Sequence, residues 1–195
     1  MNDFIPITIY NALHNVYFTI IFIIILAFLD YFLTIMNSKL LKIKYIEFFE
    51  FEQYELNPRM QKSVNEHKYN FRHSLFIILL IIPIFILHNI DIRGLFILQG
   101  MLYSLFFIII SRHIRNYIMY NVIAKNSNLL SGKIKMSYIY NIKHSVSEAL
   151  GFLFIFFLLF IFEPSYFIFG FVLGPLILIF CHVIWVKKYN HRTKV

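Results

Sequence analysis

A chain of 195 residues that is 59% hydrophobic and 14% charged departs far from the roughly half-apolar, quarter-charged balance of water-soluble domains, and one soluble core cannot enclose that much apolar surface. The net charge of +8 would suggest nucleic acid in a soluble protein, but here Lys and Arg flank hydrophobic runs, where they meet anionic lipid headgroups instead. The single cysteine, Cys181, excludes an intrachain disulfide.

Five apolar runs, 16–36, 74–90, 95–111, 145–162 and 166–186, predict transmembrane helices, since a crossing needs about 20 apolar residues. The first has no basic stretch before it and no small-residue cleavage site after it, so it reads as a retained helix rather than a signal peptide. The linker 39–73 follows. Within it, residues 45–56 mix aromatics with Glu47, Glu50, Glu52 and Glu55 and no Lys or Arg, which predicts an interfacial segment whose carboxylates are neutralised by neighbouring cations rather than by a dedicated metal. In Asn57-Pro58 the proline suits a first helical position, so Asn57 reads as the cap of a helix running toward His67. The second run, 17 residues long, is at the low end of a crossing and contains Pro83, which predicts a kink. Between the third and fourth runs, the segment 112–143 contains a break at 126–132 and an interfacial stretch at 134–142.

Loop charge orients these runs. Lys and Arg number seven in 39–73, six in 112–143 and four from Lys187 onward, against Arg93 alone on the other side. The positive-inside rule then predicts five crossings, with the amino terminus outside and the carboxyl terminus and both linkers in the cytoplasm. A re-entrant hairpin made of the second and third runs satisfies the same count, so three crossings remain open on charge alone. The fold class is all-α: a polytopic transmembrane helix bundle forming a single integral membrane domain over 1–195, with two antiparallel hairpins plus helix one. Small residues four apart mark close-approach positions at Gly100/Ser104, Gly170/Gly174, Ser145/Ala149 and Ser147/Gly151, each a short pattern that ordinary packing also produces.

Polar residues inside the runs are the candidates for function. An acid within a span costs about 2.5–3.5 kcal/mol at mid-membrane on insertion scales, so it needs a partner or a task. Asp30 is such an acid, and Thr34 and Asn37 share its helix face. The same side collects Arg72 and His73, Arg112 and His113, His144 and Glu148, and His182. His144 and Glu148, four apart, suit a metal pair or an acid and base, whereas Arg72, Arg112 and Arg115 have the planar forks that hold phosphate. Against this stand plainer readings: His113 and His144 reaching toward headgroups, and His182 as a satisfied packing residue. No His-Glu-x-x-His, Cys-x-x-Cys, phosphate-cradling glycine loop or Gly-x-Ser-x-Gly occurs, so soluble-type nucleotide chemistry is not indicated, and no cofactor or metal is assigned.

The pattern Asp30-Tyr-Phe-Leu-Thr34, followed by Glu55-Leu-Asn57-Pro58, resembles small uncharacterised prokaryotic polytopic membrane proteins with an Asp-x-x-x-Thr first helix and a Glu-x-Asn-Pro element. The resemblance covers the first third of the chain and brings no activity. It implies that Asp30, Thr34, Glu55, Asn57 and Pro58 form one unit near the inner surface of a prokaryotic cytoplasmic membrane. Three functions follow: a cation- or proton-binding site near the cytoplasmic face serving transport, which needs a homo-oligomer because five short helices make a thin wall; a membrane-embedded enzyme on a lipid or lipid-linked substrate, metal-dependent or not; and a non-catalytic helper or immunity-type subunit.

Overall fold

The computed structural model describes residues 15–43, 47–51, 57, 60–126 and 131–192. Five long helices, α1 (Val16–Ile43), α3 (Phe71–Ile90), α4 (Ile92–Lys125), α5 (Tyr138–Phe162) and α6 (Tyr166–Arg192), are each long and apolar enough to cross a membrane. A short helix, α2 (Gln61–Glu66), and two three-residue strands, β1 (Phe49–Phe51) and β2 (Ile134–Met136), complete the described elements.

Each long helix opens on a side chain that accepts a hydrogen bond from its first-turn backbone. Asn15 receives Tyr17 and Phe18, Asn70 receives Arg72, Asp91 receives Arg93, Ser137 receives Tyr140 and Ser165 receives Ile168, all at 3.0–3.2 Å. Such a cap satisfies a backbone donor that the helix leaves unbonded, for about 1 kcal/mol each. Asn57 does not play this part. Helix α2 starts at Gln61 behind Met60, and Asn57 contributes its carbonyl to the Met60 amide at 3.0 Å. The residue that stops the linker and starts α3 is Asn70, whose amide also donates to Ser63 Oγ at 3.1 Å and Met60 Sδ at 3.3 Å.

Contacts between helices fix their directions. Gln99 of α4 meets Thr19 of α1, and His113 of α4 meets Asp30 of α1, so these two helices run parallel. The pairing of Gly100 with Phe167 and of Ser104 with Gly174 makes α6 parallel to both. Helices α3 and α5 run the opposite way, each folded directly onto its successor. Every helix therefore crosses, and both basic linkers leave the bundle at one end, called the linker end below. At about 1.5 Å per residue, the 20 residues of α3 measure about 30 Å, the thickness of the hydrocarbon layer, so the re-entrant alternative is not needed. Pro83 lies within this unbroken helix.

Both hairpins form, and one of their four helices is the centre of the bundle. Helix α4 packs most extensively against α6, then α1, and also against α3; it is the most enclosed of the five, with 44% of its apolar stretch buried. One apolar cluster joins α1, α3 and α4 around Ile23, Ala27, Ile84 and Leu95, and a second joins α4, α5 and α6 around Ile108, Ala149, Phe156 and Val172. Glycine makes the α4–α6 approach possible. A Cβ at Gly100 or Gly170 would fall inside backbone of the opposite helix, and one at Gly174 would strike Ser104. Ser145 and Ala149 also lie buried in the bundle, whereas Ser147 is exposed and Gly151 faces open space.

The helices outrun the hydropathy. The third run is expected to end at 111, but α4 continues to Lys125, because intrahelical hydrogen bonds do not stop at the membrane surface where charged residues begin. Helix α5 likewise begins at Tyr138 rather than 145, and the stretch 134–142 divides into β2 and the start of α5. The two interfacial stretches pair with each other: β1 and β2 are parallel, with Phe49 opposite Ile134 and Phe51 opposite Met136. Of the four clustered glutamates, Glu50 lies 3.6 Å from Lys133, in line with neutralisation by cations; Glu52 and Glu55 lie outside the described residues.

Beneath α1 at the linker end, His67 closes α2 in a left-handed conformation, φ 54°. Desolvation, with Lys42 and Lys39 close by, pushes its imidazole below the ordinary histidine range. Because the folded value lies below the unfolded one, the unfolded chain binds more protons in that window. The stabilising contribution is thus complete above the unfolded value and is lost as pH falls toward the folded one. Hydrogen exchange at the α2 amides is expected to speed up relative to α4 when pH drops from ~7.5 to ~5.5, and this difference is expected to vanish in His67→Gly, which also suits the left-handed backbone.

Candidate functional site

Asp30, Thr34 and Asn37 form the polar face that α1 turns toward α4, and all three engage one residue, His113. Asp30 Oδ1 lies 2.9 Å from His113 Nε2, Thr34 Oγ1 lies 3.0 Å from the same nitrogen, and Asn37 Nδ2 donates to the His113 carbonyl at 2.9 Å. Thr34 and Asn37 are buried, and the Asp30 carboxylate is 23% exposed. The helix period explains the convergence: positions 30, 34 and 37 repeat every three or four residues and line one stripe. With the carboxylate ionised, Nε2 carries the proton and donates it to Asp30. The other ring nitrogen, Nδ1, is buried with no hydrogen-bond partner, and so is Asn37 Oδ1.

A second polar cluster joins α4 to α5. Glu148 accepts from Arg112 Nε at 2.8 Å with one oxygen and pairs with Arg115 through the other. Both oxygens of this one acid are therefore engaged by permanently charged guanidiniums. His144, one turn away, is exposed and stacks on Tyr140. Among the described residues, no group of three His, Cys, Asp or Glu side chains is arranged to hold a metal.

His182 forms a third cluster. Its Nδ1 donates to the Leu178 carbonyl at 2.6 Å, which leaves Nε2 bare to accept the Ser145 hydroxyl at 2.9 Å. A serine bonded to a histidine whose far nitrogen is anchored is also the arrangement of an activated nucleophile. Here Ser145 and His182 are 2% and 1% exposed, and their bond ties α5 to α6.

The sequence candidates thus sort into separate places. Asp30, Thr34, Asn37 and His113 come together; Arg112 and Glu148 form the neighbouring cluster; His182 stands apart. Arg72 is exposed at the start of α3, Asn57 contributes a turn, and Glu55 lies outside the described residues. Two polar contacts escape the sequence reading. His73 Nε2 donates to the Ala27 carbonyl at 3.1 Å, and Gln99 donates to Thr19 at 2.7 Å, both within the bundle. The rule that marks Asp30 also marks Gln99, an amide in the middle of the third run.

No protein-family model, no curated protein and no solved structure matches the chain.

Proposed function

We propose that this integral membrane protein binds and releases a proton at the Asp30–His113 pair and uses that change of charge to move an ion or small solute across a prokaryotic cell membrane, with the linker end in the cytoplasm. The observation that carries the proposal is the 2.9 Å contact between an intramembrane carboxylate and an imidazole. Glu148, the other acid in this half of the bundle, is matched to guanidiniums whose charge never changes, as expected of a structural pair. Asp30 is matched instead to the one side chain whose unperturbed charge changes near neutral pH.

Charge bookkeeping gives the pair two states. With a neutral imidazole and an ionised carboxylate it bears one negative charge; after taking up a proton it is an ion pair of zero net charge. Protonation also places an N–H on Nδ1, which is buried without an acceptor. A buried donor left unmet costs about 1–3 kcal/mol, enough to favour a small rearrangement of α1 against α4 in the protonated state. Thr34, bonded to the same nitrogen, holds the ring during exchange.

The enzyme reading takes Glu148, His144, His113 or His182 as acid, base or metal ligand; Glu148, His113 and His182 lie in three separate clusters, and His144 stacks on Tyr140. The test is infrared difference spectroscopy of reconstituted protein across a pH titration, together with proton counting. Asp30→Asn is expected to fold with unchanged or slightly raised stability, because a costly buried charge is gone, and to take up one proton fewer per chain. If Asp30→Asn and His113→Gln bind as many protons as the parent between pH ~4 and ~8, the proposal fails.

A further inference from the structure

The outer face of α4 at the linker end carries a shallow open hollow of about 450 Å³ lined by Ser111, Ile114, Arg115, Ile118 and Met119. These positions follow the helix period and form one continuous strip. Ile114 and Ile118 are 48% and 56% exposed, and the Arg115 side chain is 46% exposed even while paired with Glu148. An apolar strip with one cation set into it has the chemistry of a lipid seat.

We propose that this hollow binds one anionic phospholipid. The phosphodiester rests on the Arg115 guanidinium, the glycerol ester region lies against Ile118 and Met119, and an acyl chain passes Ile114 and Ser111 toward the bilayer centre. Depth agrees with this placement. Arg115 lies 23 residues after Ile92, about 34 Å along the helix, so a modest tilt brings it to the edge of the roughly 30 Å hydrocarbon layer.

Charge complementarity selects an anionic lipid. Arg112 and Arg115 share the single carboxylate of Glu148, so one positive charge remains. Helix α4 contains no acid from Ile92 to Lys125, α5 contains no acid besides Glu148, and Lys143 adds a further cation. The Arg115 guanidinium presents several N–H groups in a planar fork; Glu148 engages Nη1 and Asn116 Oδ1 accepts from Nη2 at 3.1 Å, and the remaining N–H groups are donors for phosphate oxygens. The seat is separate from the Asp30–His113 pair, which lies on the α1 side of α4.

Native mass spectrometry of the detergent-solubilised full chain, titrated with phosphatidylglycerol or phosphatidylcholine, tests the proposal. One phosphatidylglycerol per chain is expected to survive delipidation, retained about tenfold more strongly than phosphatidylcholine. Arg115→Gln is expected to abolish most of that preference. Because Arg115→Gln also touches Glu148, a second variant, Ile118→Asp, keeps Arg115 and sets a competing carboxylate one turn away on the exposed strip, and is expected to do the same. Inorganic phosphate at equal concentration is expected not to displace the lipid. Equal retention of both lipids, an unchanged preference in Ile118→Asp, displacement by inorganic phosphate, or a second copy of the chain occupying this face would each overturn the assignment.

Discussion

Gly170→Val is expected to be the most damaging single substitution in the bundle. A Cβ at this position meets the Ile97 carbonyl, the Met101 amide nitrogen and the Gly100 Cα of α4. All are backbone atoms, so no side chain can swing aside and the two helices must separate. Overpacking costs about 1–3 kcal/mol where neighbours can adjust, and the loss here is expected at or above the top of that range. Gly151→Val supplies the control. Nothing lies within 4 Å of a Cβ at Gly151, so that variant is expected within about 0.5 kcal/mol of the parent. Thermal unfolding in detergent reads both, and equal midpoints for the two variants would show that the α4–α6 approach is not as close as described.

Glu148→Leu is expected to cost nearly as much, by a different mechanism. It deprives Arg112 and Arg115 of the carboxylate they share within the bundle. Removing one partner of a buried ion pair costs about 3–5 kcal/mol, because the opposite charge stays behind. Arg115 is half exposed and extends toward the headgroups, which places the expected loss near the lower end. Arg112, 15% exposed, is held inside. The double variant Glu148→Leu with Arg112→Leu is therefore expected to recover part of the loss, a non-additivity visible in the same unfolding measurement. Asp30→Leu is expected to be far milder, since its partner His113 sheds its charge where an arginine cannot. The contrast between the two acids separates a structural ion pair from a site that changes charge.

The legible part of the candidate site is the stripe on one helix. Asp30, Thr34 and Asn37 share a face by spacing alone, and the cost of an intramembrane acid marks Asp30 as needing a partner. That the partner is His113, 83 positions away, is not written in any local pattern, because Arg112, His144, Arg72 and His182 stood at the same end with equal local claims. The caps show the same division. Asn15, Asn70, Asp91, Ser137 and Ser165 are all residue types that start helices, yet Asn57 looked as good as any of them beside its proline. Met60 and Gln61 begin α2 instead, where the turn from Asn57 has already closed. Strands β1 and β2 were illegible, since three residues apiece carry too little alternation to register and each exists only by pairing with the other.

The amino-acid sequence by itself determined that this chain lives in a membrane as five helices with its cations gathered toward one end, because the transfer energy of about 20 consecutive apolar residues sums locally and needs no knowledge of neighbours. Only the tertiary structure decided that α4 is the central helix, that Gly100 and Gly170 are where α4 and α6 touch, and that Asp30 answers to His113 while Glu148 answers to two arginines. Those choices turn on which faces meet. Among helices that are apolar on nearly every side, the faces are selected by close backbone approach and by a few polar partners, and both are properties of pairs of helices rather than of any one stretch of chain.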